Sequence, residues 1–306
     1  MRGVLGAFVT IWAVTAAGWV VGRTGLLGPT GETVLARLVF FVAAPALLLT
    51  TLATADLARV FTPALAAFVV STVVVATVYI GLSRALWRRP AGETAIGTLC
   101  ASYVNAGNLG IPVAAYALGD VAYAAPVLLF QVLVATPAAL AVLEADRDGR
   151  LRLGRLALLP LRNPITVGSA AGITLAVTGW LPPPEVMRPL ELTGSAAVPL
   201  ALIVLGMSLA GARPRLTGPD AADRYTAVTL KVLVQPAVAY AVGRYALGLS
   251  GTPLLAAVIT SGLPAAQNIY VYASRYGRGE TFARDAIVLS TLVAIGSLLA
   301  IAAWLS

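Results

Sequence analysis

Ten apolar runs alternate with short polar segments along this chain, at about residues 4–22, 33–53, 61–83, 94–117, 121–143, 163–181, 190–210, 225–247, 252–274 and 284–305. Each is close to the roughly 20 residues that a helix needs to cross the hydrocarbon core of a bilayer. The pattern predicts an all-α integral membrane protein with ten transmembrane helices. Two runs are interrupted at matching places. Tyr103-Val-Asn-Ala-Gly-Asn-Leu-Gly-Ile-Pro112 and Ser261-Gly-Leu-Pro-Ala-Ala-Gln-Asn268 set Gly, Pro and Asn in the middle of the fourth and ninth runs. At that depth a backbone opens only where protein buries it or where it lines a cavity. A pair of interrupted spans, one in each half of a chain, points to the binding site of a secondary transporter.

Composition narrows the classes further. Of 306 residues, 59% are hydrophobic and 11% charged, against about 25% charged in a soluble protein. The single cysteine, Cys100, lies inside an apolar run, which excludes an intrachain disulfide and a cysteine zinc site. Histidine is absent, so His-based hydrolysis, His metal ligation and His pH sensing are excluded together. No metal and no cofactor is expected. The net charge of +8 would point to nucleic acid in a soluble domain. Here it is loop arginine that orients helices, so the expected partner is the lipid bilayer and not nucleic acid.

The arginines sort by loop. With the N-terminus outside, the cytoplasmic side receives Arg23, Arg37, Arg84, Arg88, Arg89, Arg147, Arg150, Arg152, Arg155, Arg162, Arg213, Arg215, Arg224, Arg275, Arg278 and Arg284. The outer side receives Arg2, Arg59, Arg188 and Arg244. Sixteen against four places both termini outside by the positive-inside rule, in a cytoplasmic (inner) membrane. Lys231 alone falls within a span. The longest hydrophilic stretch, Glu144–Arg155, divides the chain into residues 1–145, a cytoplasmic linker at 146–160, and residues 161–306.

The halves repeat. At a shift of 154, Thr15-Ala-Ala-Gly18 meets Ser169-Ala-Ala-Gly172, Thr24-Gly25 meets Thr178-Gly179, Pro29 meets Pro183 and Pro45 meets Pro199. At a shift of 160, Arg84 meets Arg244, Asn108 meets Asn268, Tyr116 meets Tyr276 and Asp120 meets Glu280. Five spans are an odd number, so the second copy enters the membrane from the opposite side. Inverted repeats of this kind build alternating-access carriers with a site at the midplane.

The same residues resemble the auxin efflux carrier family. Asn105-Ala-Gly-Asn-Leu-Gly-Ile-Pro112 looks like its fourth-span motif, and Leu263-Pro264 running on to Tyr276-Gly277 looks like its ninth-span motif. Arg162-Asn163-Pro164 and the run from Ala197-Val-Pro-Leu200 to Leu205-Gly206 are also family-like. The resemblance implies a scaffold of helices 1, 2, 6 and 7, often dimeric, and a moving transport domain of helices 3–5 and 8–10. The broken helices 4 and 9 would cross near Pro112 and Pro264. It implies elevator-type movement of an organic anion: auxins in plants, dicarboxylates such as malate or malonate in some bacterial members. The chain lacks the long cytoplasmic loop of the large plant carriers, and Ala265-Ala-Gln-Asn268 departs from the plant pattern, which points away from auxin.

The candidate site follows from the chemistry of the breaks. An anion at the midplane must replace its water shell, and half-helix N-termini offer free N–H groups and a positive dipole end. Pro112 and Pro264 each free a carbonyl one turn earlier. Gly107, Gly110 and Gly262 let backbone approach a ligand. Asn105, Asn108, Gln267 and Asn268 supply neutral donors and acceptors, although the same amides could instead serve only to satisfy the broken backbone. Lys231 either attracts anions or holds the transport domain together, or else it snorkels to the interface. The tyrosines at 103, 116, 270, 272 and 276 read as packing or interfacial residues. Asp56, Asp120, Glu185, Glu191 and Asp285 all fall at span ends or in loops, which leaves few proton carriers and favours efflux driven by membrane potential. One charge crossing 100 mV is worth about 2.3 kcal/mol. The competing readings are a ligand-binding sensor or receptor without transport, a channel, and an intramembrane enzyme. The enzyme lacks both a base beside a nucleophile and an acidic metal cluster.

Overall fold

The structure, a computed structural model, describes residues 2–54, 62–148, 163–211 and 214–305. Most of the linker expected at 146–160 lies outside the described residues, as do Asp56, Arg59, Arg150, Arg152, Arg155, Arg162 and Arg213. In chain order the helices are α1 (Arg2–Thr24), α2 (Gly31–Ala53), α3 (Pro63–Trp87), α4 (Ala91–Ser102), α5 (Ile111–Ala117) and α6 (Val121–Asp146). They continue with α7 (Pro164–Thr178), α8 (Pro184–Ala210), α9 (Ala221–Ala246), α10 (Gly251–Gly262), α11 (Asn268–Tyr276) and α12 (Glu280–Leu305). Six of them, α2, α3, α6, α8, α9 and α12, are long and apolar enough to cross a membrane, and α7 and α10 are shorter apolar helices. Among the described residues the only pairing of strand type is one isolated antiparallel bridge, Val104 with Ala265. The outward face of α3 exposes Val70, Val73, Val74 and Val78, a surface suited to lipid and not to water. The chain is an all-helical integral membrane protein.

Local chemistry sets several helix ends. The Asn163 side chain accepts the Ile165 N–H at 2.9 Å, and Pro164 follows in the first turn, where its missing N–H costs nothing. Helix α1 ends at Thr24 and α7 at Thr178, 154 residues apart; each is followed by a glycine of positive φ, Gly25 at 69° and Gly179 at 66°. Helices α4 and α10 start at Ala91 and Gly251 and end at Ser102 and Gly262, in both cases 160 residues apart.

The helices group into two compact units. The first holds residues 1–62, 106–132 and 160–212. Within it α1 lies on α8 and α2 on α7, at backbone distance. A Cβ on Gly18 would collide with the backbone of Ile203, and one on Gly206 with the backbone of α1 at Thr15. One on Gly172 would collide with the Leu49 carbonyl, and one on Gly168 with that of Pro45. Gly18 with Ile203 and Gly172 with Leu49 are one contact repeated at the shift of 154. Apolar tails give no hydrophobic drive between helices, so close approach of small residues supplies the dispersion contact that holds them.

The second unit holds residues 63–105, 133–159 and 213–306. Its interior carries polar groups: Ser71, Thr72, Lys231, Gln235, Ser261, Asp285 and Ser290 are all buried. Asp285, expected at a span end or in a loop, lies in the second turn of α12, and Arg224, expected on the cytoplasmic side, lies in α9; they are 0% and 3% exposed. They sit 3.9 Å apart, and Arg284 binds the other Asp285 oxygen at 2.9 Å. Opposite charge nearby is what lets a helix end bury a carboxylate.

Candidate functional site

Helix α4 stops at Ser102, and Tyr103 is extended, with φ −92° and ψ 114°. The segment that follows meets the segment after α10. The Asn105 N–H donates to the Pro264 carbonyl at 2.8 Å, and the Ala266 N–H donates to the Tyr103 carbonyl at 3.2 Å. The Ala265 N–H, which a helix would have satisfied, donates instead to the Ser290 hydroxyl of α12 at 3.1 Å. The two sequence breaks therefore cross within the second unit and satisfy each other's backbone. Tyr103, Val104, Asn105, Pro264, Ala265 and Ala266 are all buried, so these bonds replace water that the site cannot supply.

Two helices end where the crossing begins, and each leaves carbonyls without intrahelical partners. Lys231 answers one of them: its Nζ donates to the Ser261 carbonyl at 2.8 Å and to Gln235 Oε1 at 2.5 Å. Gln235 answers the other, donating from Nε2 to the Ser102 carbonyl at 3.3 Å and to Thr72 Oγ1 at 2.9 Å. The lysine is 0% exposed, so it does not snorkel. Its amine therefore caps the carbonyl end of α10.

A second polar group sits on the other side of the break. The Tyr103 hydroxyl lies 3.0 Å from Thr136 Oγ1. Asn268 Nδ2 donates to the Tyr103 hydroxyl at 3.4 Å and to the Tyr272 hydroxyl at 3.2 Å. Asn268 is the first residue of α11, and Gln267 immediately precedes it.

The structure brings Asn105, Pro264, Gln267, Asn268 and Lys231 into this one unit. Gly107, Asn108, Gly110 and Pro112 belong to the first unit. There Ala106–Gly110 forms a π turn, a Cβ on Gly107 would meet open space, and Pro112 occupies the first turn of α5. The crossing expected near Pro112 is instead at Val104, because the backbone opens earlier, at Tyr103–Asn105, and is helical again from Ala106 through Pro112. Gly262 faces Ile301 and Leu298 of α12 at close range, so its lack of a side chain serves packing. Sequence reasoning missed Gln235 as a partner of Lys231, although their i, i+4 spacing was visible. It also missed Ser290, Thr136 and Tyr272, whose roles depend on contacts far along the chain.

A separate cavity of about 390 Å³ lies near the opposite helix ends of the same unit, lined by Tyr79, Arg89, Glu93, Asp220, Asp223, Gly277 and residues 279–282. Arg89 bonds Asp223 at 3.1 Å, Glu93 at 3.4 Å and also Asp220. The Asp220 carboxylate raises the Arg89 guanidinium above its usual range. The Tyr79 hydroxyl donates to Asp223 at 2.6 Å.

The sequence is similar to known membrane proteins over most of its length. A family described as membrane transport protein matches residues 4–144 and 150–302. A putative malonate transporter of Rhizobium meliloti (strain 1021) is 28% identical over 238 residues, which cover 74% of this chain and 72% of that protein.

Proposed function

The chain belongs to this membrane transport family, the auxin efflux carriers, and we propose that it carries a small organic carboxylate across the cytoplasmic membrane by an elevator-type mechanism. The observation that carries the reading is the buried crossing at Val104 and Ala265, where two interrupted spans exchange backbone hydrogen bonds. Discontinuous helices of this kind hold the substrate sites of secondary transporters. The paired helix ends at shifts of 154 and 160 support two inverted repeats of five spans, ten in all. Helices 1, 2, 6 and 7 then form the scaffold and a homodimer contact, and helices 3–5 and 8–10 form the moving domain. The amides of Asn105, Gln267 and Asn268 hold the substrate, and Asn108, which matches Asn268 at the shift of 160, is a further candidate for substrate contact. Both termini lie outside. The relative described as a putative malonate transporter supports a dicarboxylate as cargo. Membrane potential drives efflux, since a carboxylate leaving a negative-inside cell gains about 2.3 kcal/mol per charge per 100 mV.

The test is voltage-clamped flux into proteoliposomes across labelled mono- and dicarboxylates, with wild type beside Asn108→Ala and Asn105→Ala. Saturable, voltage-dependent flux lost in the variants is expected. Binding without flux in any gradient would favour a sensor. Flux that ignored voltage and followed protons or sodium would overturn the driving force.

A further inference from the structure

The amide of Asn268 turns its nitrogen toward two tyrosine hydroxyls and its oxygen away from them. Its Nδ2 faces two hydroxyls, Tyr103 at 3.4 Å and Tyr272 at 3.2 Å. An amide nitrogen has two hydrogens, and a phenol oxygen can accept one while donating its own. Thr136 stands next in line, 3.0 Å from the Tyr103 hydroxyl. A consistent direction runs from the amide hydrogens to the tyrosine oxygens, and from the Tyr103 hydrogen to the threonine oxygen. Both amide hydrogens are then used. What remains is Asn268 Oδ1, shut away from solvent and without a hydrogen-bond partner. An unpaired acceptor in a buried site is destabilising until something donates to it.

We propose that Tyr103, Tyr272 and Thr136 are positioning residues that present the Asn268 carbonyl oxygen to the cargo, so that this carrier selects carboxylates bearing an O–H donor. This rests on the carrier reading above. The donor is either a hydroxyl on the carbon chain or a second carboxyl that keeps its proton. An anionic site built only from donors would favour the fully ionised acid; this one adds an acceptor and turns against it. The two tyrosines that sequence patterning assigns to packing thereby set specificity.

Equilibrium binding to the purified full-length protein, with flux measured in parallel, separates the possibilities. Tartronate and malonate at neutral pH differ only in a hydroxyl. Malonate and its monomethyl ester at mildly acidic pH differ in a carboxyl proton. A preference of about tenfold for tartronate identifies the chain hydroxyl as the donor, and the same preference for malonate over its ester identifies the carboxyl. In Tyr103→Phe/Tyr272→Phe the amide is free to turn, and the preference falls toward unity while malonate binding persists. Tyr272→Phe alone is the milder variant and lowers the preference in part. Equal binding within both pairs, or a preference unchanged in the variants, overturns the proposal and leaves the carrier reading in place. A preference in binding with no flux keeps the proposal and overturns the carrier.

Discussion

The two units are held together by opposite means. In the first, glycines bring α1 against α8 and α2 against α7 until backbone touches backbone. In the second, a lysine, a glutamine and several hydroxyls stitch broken helices to their neighbours. Close-packed small residues have one good arrangement and no tolerance for volume. A polar network costs desolvation at every member and is sound only when each is satisfied. The first device suits helices that stay continuous, and the second suits a place where the backbone must open. At the crossing, interruption of the helix is what calls for these polar groups.

The contrast can be broken from either side. The largest effect belongs to Gly206→Leu. Its side chain would meet the backbone of α1, which cannot rotate away, and we expect a loss of about 3 kcal/mol or more, seen as aggregation on size exclusion in detergent. Retained monodispersity and melting temperature would show that the helices can part. Lys231→Met comes next. It strips the donor from the Ser261 carbonyl and from Gln235, at about 1–3 kcal/mol for each buried acceptor left unpaired. A double-mutant cycle with Gln235→Leu should give a coupling of about 0.5–3 kcal/mol, and additivity would mean the pair does not act together.

Ser290→Ala removes the partner of the Ala265 N–H and should cost about 1–3 kcal/mol, measured by thermal unfolding, with faster amide exchange at residues 264–266. Unchanged exchange would mean the crossing does not depend on α12. The smallest effect on stability is expected of Gly107→Ala. Its Cβ meets open space, so stability should stay within about 0.5 kcal/mol. Any fall in uptake would then report substrate contact and not folding, and unchanged uptake would remove Gly107 from the site.

The sequence by itself determined the class of molecule and the location of its breaks. Apolar runs admit only membrane helices, because unpaired backbone is intolerable in lipid. Asn, Gly and Pro at 103–112 and 261–268 mark backbone that cannot stay helical without compensation. Short-range chemistry of this kind is legible residue by residue, as are the Asn163 cap and the turns at Gly25 and Gly179. Tertiary structure decided what compensates. That the crossing falls at Val104 and not at Pro112 depends on Pro264 meeting Asn105 across 159 residues of chain. That Lys231 is buried depends on the end of α10 reaching it. That Asp285 and Arg224 lie buried 3.9 Å apart depends on α9 and α12 meeting. Each is a pairing between distant positions, and a pairing has no signature in either partner alone.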